Sequence, residues 1–141
     1  MSFLNGFETS ASGLHAQRTR MNVTSSNLAN AETTRTAEGG PYIRKQAVLE
    51  ARPVENFDAT LNEAVQAVRV RAVEDDQVRP TRFVYDPGHP DAREDGYVEM
   101  PNVNVVEEMT DMITASRSYE ANATAFETLK RMAMRALNIG G

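Results

Sequence analysis

The 141 residues predict an α+β fold, with long N- and C-terminal helices paired as an α-helical coiled coil and a small antiparallel β and loop region between them. Three observations carry this reading. From Asn104 to Leu137 a stripe of residues recurs at alternating spacings of four and three, the mark of one face of a helix. A matching run occupies the first 28 residues. Between the two, the period drops to two, as in strands. The segments divide as 1–36, 37–103 and 104–141.

The C-terminal stripe reads Val105, Met109, Met112, Ser116, Tyr119, Ala123, Phe126, Lys130, Ala133 and Leu137, broken only by Ser116 and Lys130. At about 1.5 Å per residue such a helix is roughly 50 Å long, well beyond the average for a compact domain. Pro101 closes the preceding segment, Asn104 can cap, and Glu107 stands three residues on in capping-box relation. Glu107, Glu108 and Asp111 fall in the first turns and Lys130, Arg131 and Arg135 near the end, each with the sign the helix dipole favours. Gly140 and Gly141 supply a stop. A second row, Ala121, Ala125, Leu129, Met132 and Ala136, makes the apolar face wider than a single facing helix covers. Something beyond the chain's own fold is expected to cover it.

At the other end, Phe3, Phe7, Ser10, Leu14, Gln17, Met21, Thr24 and Leu28 follow the same spacing, with Phe7, Leu14, Met21 and Leu28 one heptad apart. Gly6, Gly13 and many Ser, Thr and Asn make this helix of about 25 residues marginal alone, so it is expected to order only against a partner. An ordinary core helix of a small bundle is the competing reading, but no third long helix is present. The run Ser25–Thr34, rich in side chains that compete for backbone hydrogen bonds, ends it, and Glu38-Gly39-Gly40-Pro41 is a turn. Strands are expected at Tyr42–Leu49, Val65–Val73, Arg82–Tyr85 and Gly96–Met100, with Val54–Ala64 a loop holding a short helical turn.

Composition narrows the function classes. The chain is 40% apolar, lacks Trp and has only nine aromatics, so a large core is not expected. The absence of cysteine excludes disulfides, thiolate metal sites and a Cys nucleophile. No apolar run is long enough to span a bilayer, and the first residues do not form a cleaved secretory leader. The net charge of −5 argues against nucleic acid and resides in residues 37–103, with thirteen acids and eight bases; the ends are near neutral. Near-neutral ends can pack against copies of themselves, and an acidic middle faces solvent. Thirteen of the fifteen bases are Arg, a residue suited to multidentate contacts.

Few motifs suggest chemistry. Asp86-Pro87-Gly88-His89-Pro90-Asp91 sets a histidine between carboxylates, but two prolines and a glycine build a turn by themselves, and the only other histidine is His15 on the first helix. Glu74-Asp75-Asp76 lacks the spaced oxygen ligands of a calcium loop and reads as a solvated turn. No phosphate loop, nucleophile elbow or helical histidine pair occurs. The expectation is therefore no enzyme, no metal and no cofactor.

At Ser12–Arg20 and at Ser26-Asn27-Leu28-Ala29-Asn30-Ala31-Glu32-Thr33 the sequence resembles the axial proteins of the bacterial flagellum. The second block is similar to that family's N-N-L-A-N-x-x-T signature, carried here by Asn27, Leu28, Ala29, Asn30 and Thr33, with Ser26 in place of its first Asn. Blocks at Glu38–Lys45, Tyr85–Ala92, Gly96–Asn104, Glu108-Met109 and Ser116–Asn122 resemble, more narrowly, the basal-body rod proteins of the proximal-rod FlgC type. The resemblance spans nearly the whole chain. It implies a structural subunit whose terminal helices form a coiled coil lining the axial tube, with the middle region outside. It implies export through the flagellar type III apparatus without a cleaved signal, a place in the periplasmic rod, and ends that order on assembly. The implied partners are other copies of the chain, related proximal and distal rod subunits, the rod-base adaptor and the export apparatus, with no nucleic acid or small-molecule substrate. Phe3 and Phe7 resemble the Phe-x-x-x-apolar element that engages the export gate. The expected assembly interface is Phe3, Phe7, Leu14, Met21 and Leu28 on the first helix and Val105, Met109, Met112, Tyr119, Phe126, Ala133 and Leu137 on the last. Two other readings remain open, a soluble coiled-coil adaptor for a partner helix and a metal-dependent enzyme centred on His89.

Overall fold

A computed structural model describes residues 3–53 and 66–139, with Phe3 and Ile139 given by backbone alone. Elements follow in the order α1 (Phe3–Ala29), β1 (Lys45–Pro53), β2 (Gln66–Asp75), β3 (Arg82–Tyr85), β4 (Tyr97–Met100) and α2 (Val105–Ile139). The loop expected at Val54–Ala64, the start of the second strand at Val65 and the stop at Gly140-Gly141 lie outside the described residues.

α2 starts where its chemistry dictates. The Asn104 Oδ1 accepts the amides of Val106 at 3.1 Å and Glu107 at 3.5 Å, and the Asn104 Nδ2 donates to Glu107 Oε1 at 3.4 Å. Asn104 is thus the cap, with Glu107 closing back on its side chain. The helix then runs 35 residues. Its end differs from expectation in one respect, because the last turn carries no base; Arg135 sits one turn earlier.

α1 and α2 pack antiparallel. Phe7 meets Phe126 edge to face with ring centroids 5.0 Å apart, an arrangement that suits the ring quadrupoles. The deepest line of the seam is not the apolar heptad, though Ser10 and Thr24, polar members of the expected stripe, do lie on it. A Cβ added to Gly6 would lie 3.1 Å from Leu129, and one on Gly13 would lie 2.9 Å from Asn122. The buried positions of α1 are Ser10, Ala16, Thr24 and Asn27, and those of α2 are Glu108 and Ala115. Small and polar residues let the two backbones approach, and Leu14, Met21 and Leu28 sit half-buried beside the seam.

β1 and β2 form an antiparallel ribbon from Lys45↔Asp75 to Pro53↔Gln66, with a register shift between Val48 and Leu49, and it packs on α1. β1 begins later than Tyr42 because the backbone there is committed elsewhere. The Tyr42 amide donates to Thr33 O at 2.9 Å and the Arg44 amide to Asn102 Oδ1 at 2.7 Å. The shift also breaks the simple alternation: Ala67 is the buried residue of β2, while Val68 is exposed. β3 and β4 pair from Arg82↔Met100 to Tyr85↔Tyr97. Gly96 opens that return with φ +79 and leaves no room for a Cβ, which would stand 2.8 Å from the Tyr85 ring, so only glycine fits. The apolar core is small, with Ala31, Tyr42 and Val103 its one cluster among the described residues.

Candidate functional site

The most tightly organised part of the molecule is a buried polar junction where the end of α1, the entry to β1, the exit of β2 and the start of α2 converge. Asn27, 1% exposed, is its centre. Its Nδ2 donates to Lys45 O at 2.8 Å and to Glu108 Oε2 at 3.0 Å, and its Oδ1 accepts from the Tyr42 hydroxyl at 3.0 Å and the Lys45 amide at 2.9 Å. Four bonds satisfy every site a buried amide side chain has in this setting.

Glu108 is fully buried, which is tolerable for a carboxylate only when it is paired and hydrogen-bonded. Arg44 Nε donates to its Oε1 at 2.6 Å, and the same guanidinium lies 3.4 Å from Asp76 Oδ2 and 3.7 Å from Asp111 Oδ2. Asp76 accepts the amides of Val78 and Arg79 through Oδ1 and is itself buried. The expectation of a solvated turn at Glu74-Asp75-Asp76 is therefore corrected: Glu74 and Asp75 are the last paired residues of β2, and Arg44 draws Asp76 inward. Asn102 completes the set, its Nδ2 donating to Asp76 O at 2.9 Å and Arg79 O at 3.0 Å. Farther out, Arg79 pairs with Glu107. Chiefly through that hydrogen bond, and then through the carboxylate's charge, the Arg79 pKa is raised above its ordinary value.

The signature residues acquire distinct duties. Asn27 locks the junction, and Asn30 and Thr33 shape the exit of α1. Asn30 Nδ2 donates to Ser26 O at 2.9 Å, and the Thr33 hydroxyl donates to Asn30 Oδ1 at 3.2 Å. Leu28 is half-buried and Ala29 exposed. Arg44, Asp76, Asn102 and Glu108 were missed as junction residues. The signal that could have found Glu108 is its position one heptad before Ala115, on the face of α2 that meets α1.

Of the expected interface residues, Phe7, Met112, Phe126 and Ala133 lie half-buried along the helix pair, whereas Val105, Met109, Tyr119 and Leu137 are exposed, Met109 by 52% and Leu137 by 75%. The Phe3 side chain lies outside the description. His89 serves a turn: its Nδ1 accepts the Asp91 amide at 3.1 Å, and its own amide donates to Asp86 O at 3.2 Å. Asp91 then clasps the α1 exit, accepting from Thr34 Oγ1 at 2.8 Å and pairing with Arg35 at 3.0 Å. Among the described residues no group of three or more His, Asp or Glu could hold a metal, and no helix is long and apolar enough to cross a membrane.

Comparison with known proteins agrees with this arrangement at both ends of the chain. Residues 7–35 match the family described as flagella basal body rod protein, and residues 94–139 match the C-terminal region of the flagellar basal body rod FlgEFG proteins. The flagellar basal-body rod protein FlgC of Borreliella burgdorferi is 44% identical, with 99% of this chain and 98% of that protein covered. Those of Salmonella typhimurium and Bacillus subtilis are each 43% identical, with 99% of both chains covered. Two matched terminal regions and this similarity along the whole length lead to one assignment: the chain belongs to the FlgC family of flagellar basal-body rod proteins, which are structural and not enzymatic.

Proposed function

We propose that this chain is a structural subunit of the proximal rod, joining through its terminal helices with other copies and with related rod subunits to make the torque-transmitting axial tube. One observation carries the reading. α1 covers one face of α2, and Val106, Met109, Ile113, Met132, Met134 and Leu137 remain exposed along the rest of it. Burying such side chains among neighbours stabilises by roughly 25 cal/mol per Å² of apolar surface, enough over several contacts to offset the entropy of ordering loose ends. Proximal and distal rod subunits and the rod-base adaptor are the neighbours this reading expects.

The same reading places the subunit in the periplasmic part of the rod, delivered by the type III export apparatus without a cleaved signal. Phe7 supports a sequential use of one side chain. In the folded pair it lies against Phe126, so engagement of Phe3 and Phe7 by the export gate precedes packing of α1 on α2.

Met109→Asp and Phe126→Asp test assembly separately from folding. Met109 is exposed in the single chain, so its variant keeps the fold and loses the rod, giving exported but non-motile cells. Phe126→Asp loses both. Cells that swim normally with Met109→Asp would overturn the assignment of this face.

A further inference from the structure

β3 and β4 carry an aromatic face that the described chain covers only in part, through Arg93 over Phe83. Phe83 and Tyr85 alternate onto one side of β3, and Tyr97 stands opposite Tyr85 on the same side. Val84 and Val98 point to the other side, where Val98 is 1% exposed and Val84 44%, so β4 turns that side inward and the aromatic side is the more open of the two. Phe83 is 52% exposed, Tyr85 64% and Tyr97 42%. Asp86 follows Tyr85 in the chain and Glu94 and Asp95 come shortly before Tyr97; all three are exposed, and none takes part in an ion pair among the described residues. Two bases are nearby: Arg93 is already engaged, stacked 4.7 Å over Phe83 and bonded to Glu99 at 2.6 Å, and Arg82 is exposed on the Val84 side of β3, which leaves the acids in excess.

The end of α2 has the opposite character. From Thr128 onward it carries Lys130, Arg131 and Arg135 and no acid, and these bases too form no ion pair among the described residues. With Gly6 opposite Leu129, the helix-pair register brings Phe3 to about Met132. α2 continues to Ile139, past the described start of α1, and Met134 and Leu137 lie on these last turns. Both are more than half exposed.

These two surfaces complement each other in charge and in apolar character. Methionine against aromatic rings is a favourable contact, and arginine stacks on aromatic faces while pairing with carboxylates. They cannot meet within one molecule. β4 ends four residues before α2 begins, so the rigid length of α2, about 50 Å at 1.5 Å per residue, separates the hairpin from the chain's own tail. We propose that the C-terminal end of α2 docks on the outer face of the β3–β4 hairpin of a second copy. The contact joins unlike surfaces at opposite ends of the subunit, and contacts of that kind add copies end to end. This inference rests on the assembly reading above and specifies which surface of one subunit meets which surface of the next.

The chain has no cysteine, so engineered pairs report the contact directly. Asn138→Cys and Glu94→Cys replace exposed residues at the two proposed partners. Under oxidation, a mixture of the two full-length variants is expected to give the mixed disulfide dimer well above either homodimer. In the same experiment Arg131→Glu with Arg135→Glu, both exposed, is expected to weaken association by about tenfold, with helix content unchanged by circular dichroism. Added salt should weaken the unmodified chain's association in the same direction. Sedimentation velocity across rising concentration reads association itself. Association that persists without the mixed disulfide, or unchanged by the double charge reversal, would overturn this contact and leave the assembly reading standing. No association at any concentration up to the solubility limit would overturn both.

Discussion

Glu107 and Glu108 are neighbours in the first turn of α2, and the structure makes them energetically unlike. Glu108 is fully buried, with Arg44 Nε on one oxygen and Asn27 Nδ2 on the other. Removing one partner of a buried pair costs about 3–5 kcal/mol, because the other charge is left in a poorly solvated site. Arg44 keeps Asp76 at 3.4 Å and Asp111 at 3.7 Å, so Glu108→Ala falls at the low end, about 3 kcal/mol. Glu107 pairs with Arg79 where both side chains are close to half exposed, and such pairs contribute only about 0–1 kcal/mol. The helix dipole acts on both carboxylates from the same turn and largely cancels in the comparison. The difference between the two alanine variants is therefore about 2 kcal/mol or more, or roughly 6 °C in midpoint for a chain of this size. Thermal and urea unfolding of the full-length variants, followed by circular dichroism, measures it. Equal destabilisation by the two substitutions would refute the junction as the anchor of the helix pair, as would a loss below about 1 kcal/mol for Glu108→Ala.

Other outcomes follow from single close approaches and from the uneven packing. Gly13→Val would drive side-chain atoms into Asn122, already 2.9 Å from a bare Cβ; a loss of about 1–3 kcal/mol by urea unfolding is expected from overpacking. Gly96→Ala combines positive φ with a Cβ 2.8 Å from the Tyr85 ring, and amide exchange should accelerate in β3 and β4 while the helix junction stays protected. Exchange protection along the helix pair should also be graded, highest around Asn27 and Glu108 and lowest at α1 residues 4–13 and beyond Leu129 of α2. Helix content should then rise when the chain associates.

Much of the fold was legible because local chemistry and periodicity agree in it. Asn104, Glu107 and the four-three stripe mark α2 almost to the residue, and the period-two run at Arg82–Tyr85 is the observed β3. What was not legible depends on how closely two backbones approach. The heptad of Phe7, Leu14, Met21 and Leu28 reads as the seam on hydrophobicity alone, yet Gly6 and Gly13 let α2 come so near that small and polar side chains occupy the deepest line. Hydrophobic patterning cannot rank a glycine above a leucine as an interface residue. The junction was hidden for a related reason. Arg44, Asp76 and Glu108 read individually as surface charges, since burial of a charge becomes acceptable only when distant segments deliver its partners together. Asn27 was singled out through the resemblance, and its fourfold hydrogen bonding supplies the physical reason for asparagine at that position.

The distribution of buried groups also bears on how a thin subunit can serve in a rod. An apolar junction at the base of α2 would be indifferent to small rotations of one element against another. Asn27, Arg44 and Glu108 accept only one arrangement, because any slip leaves a buried donor or charge without its partner. That fixes the β ribbon and the hairpin relative to the helices at one end of the subunit. At the other end, the exposed turns near Leu137 make few demands on geometry. A subunit with a rigid head and an accommodating tail can keep its own shape while its tail adjusts to a neighbouring rod component. The substitutions at Glu108 and at Arg131 and Arg135 should therefore separate cleanly, the first changing the stability of the chain and the second changing only its association.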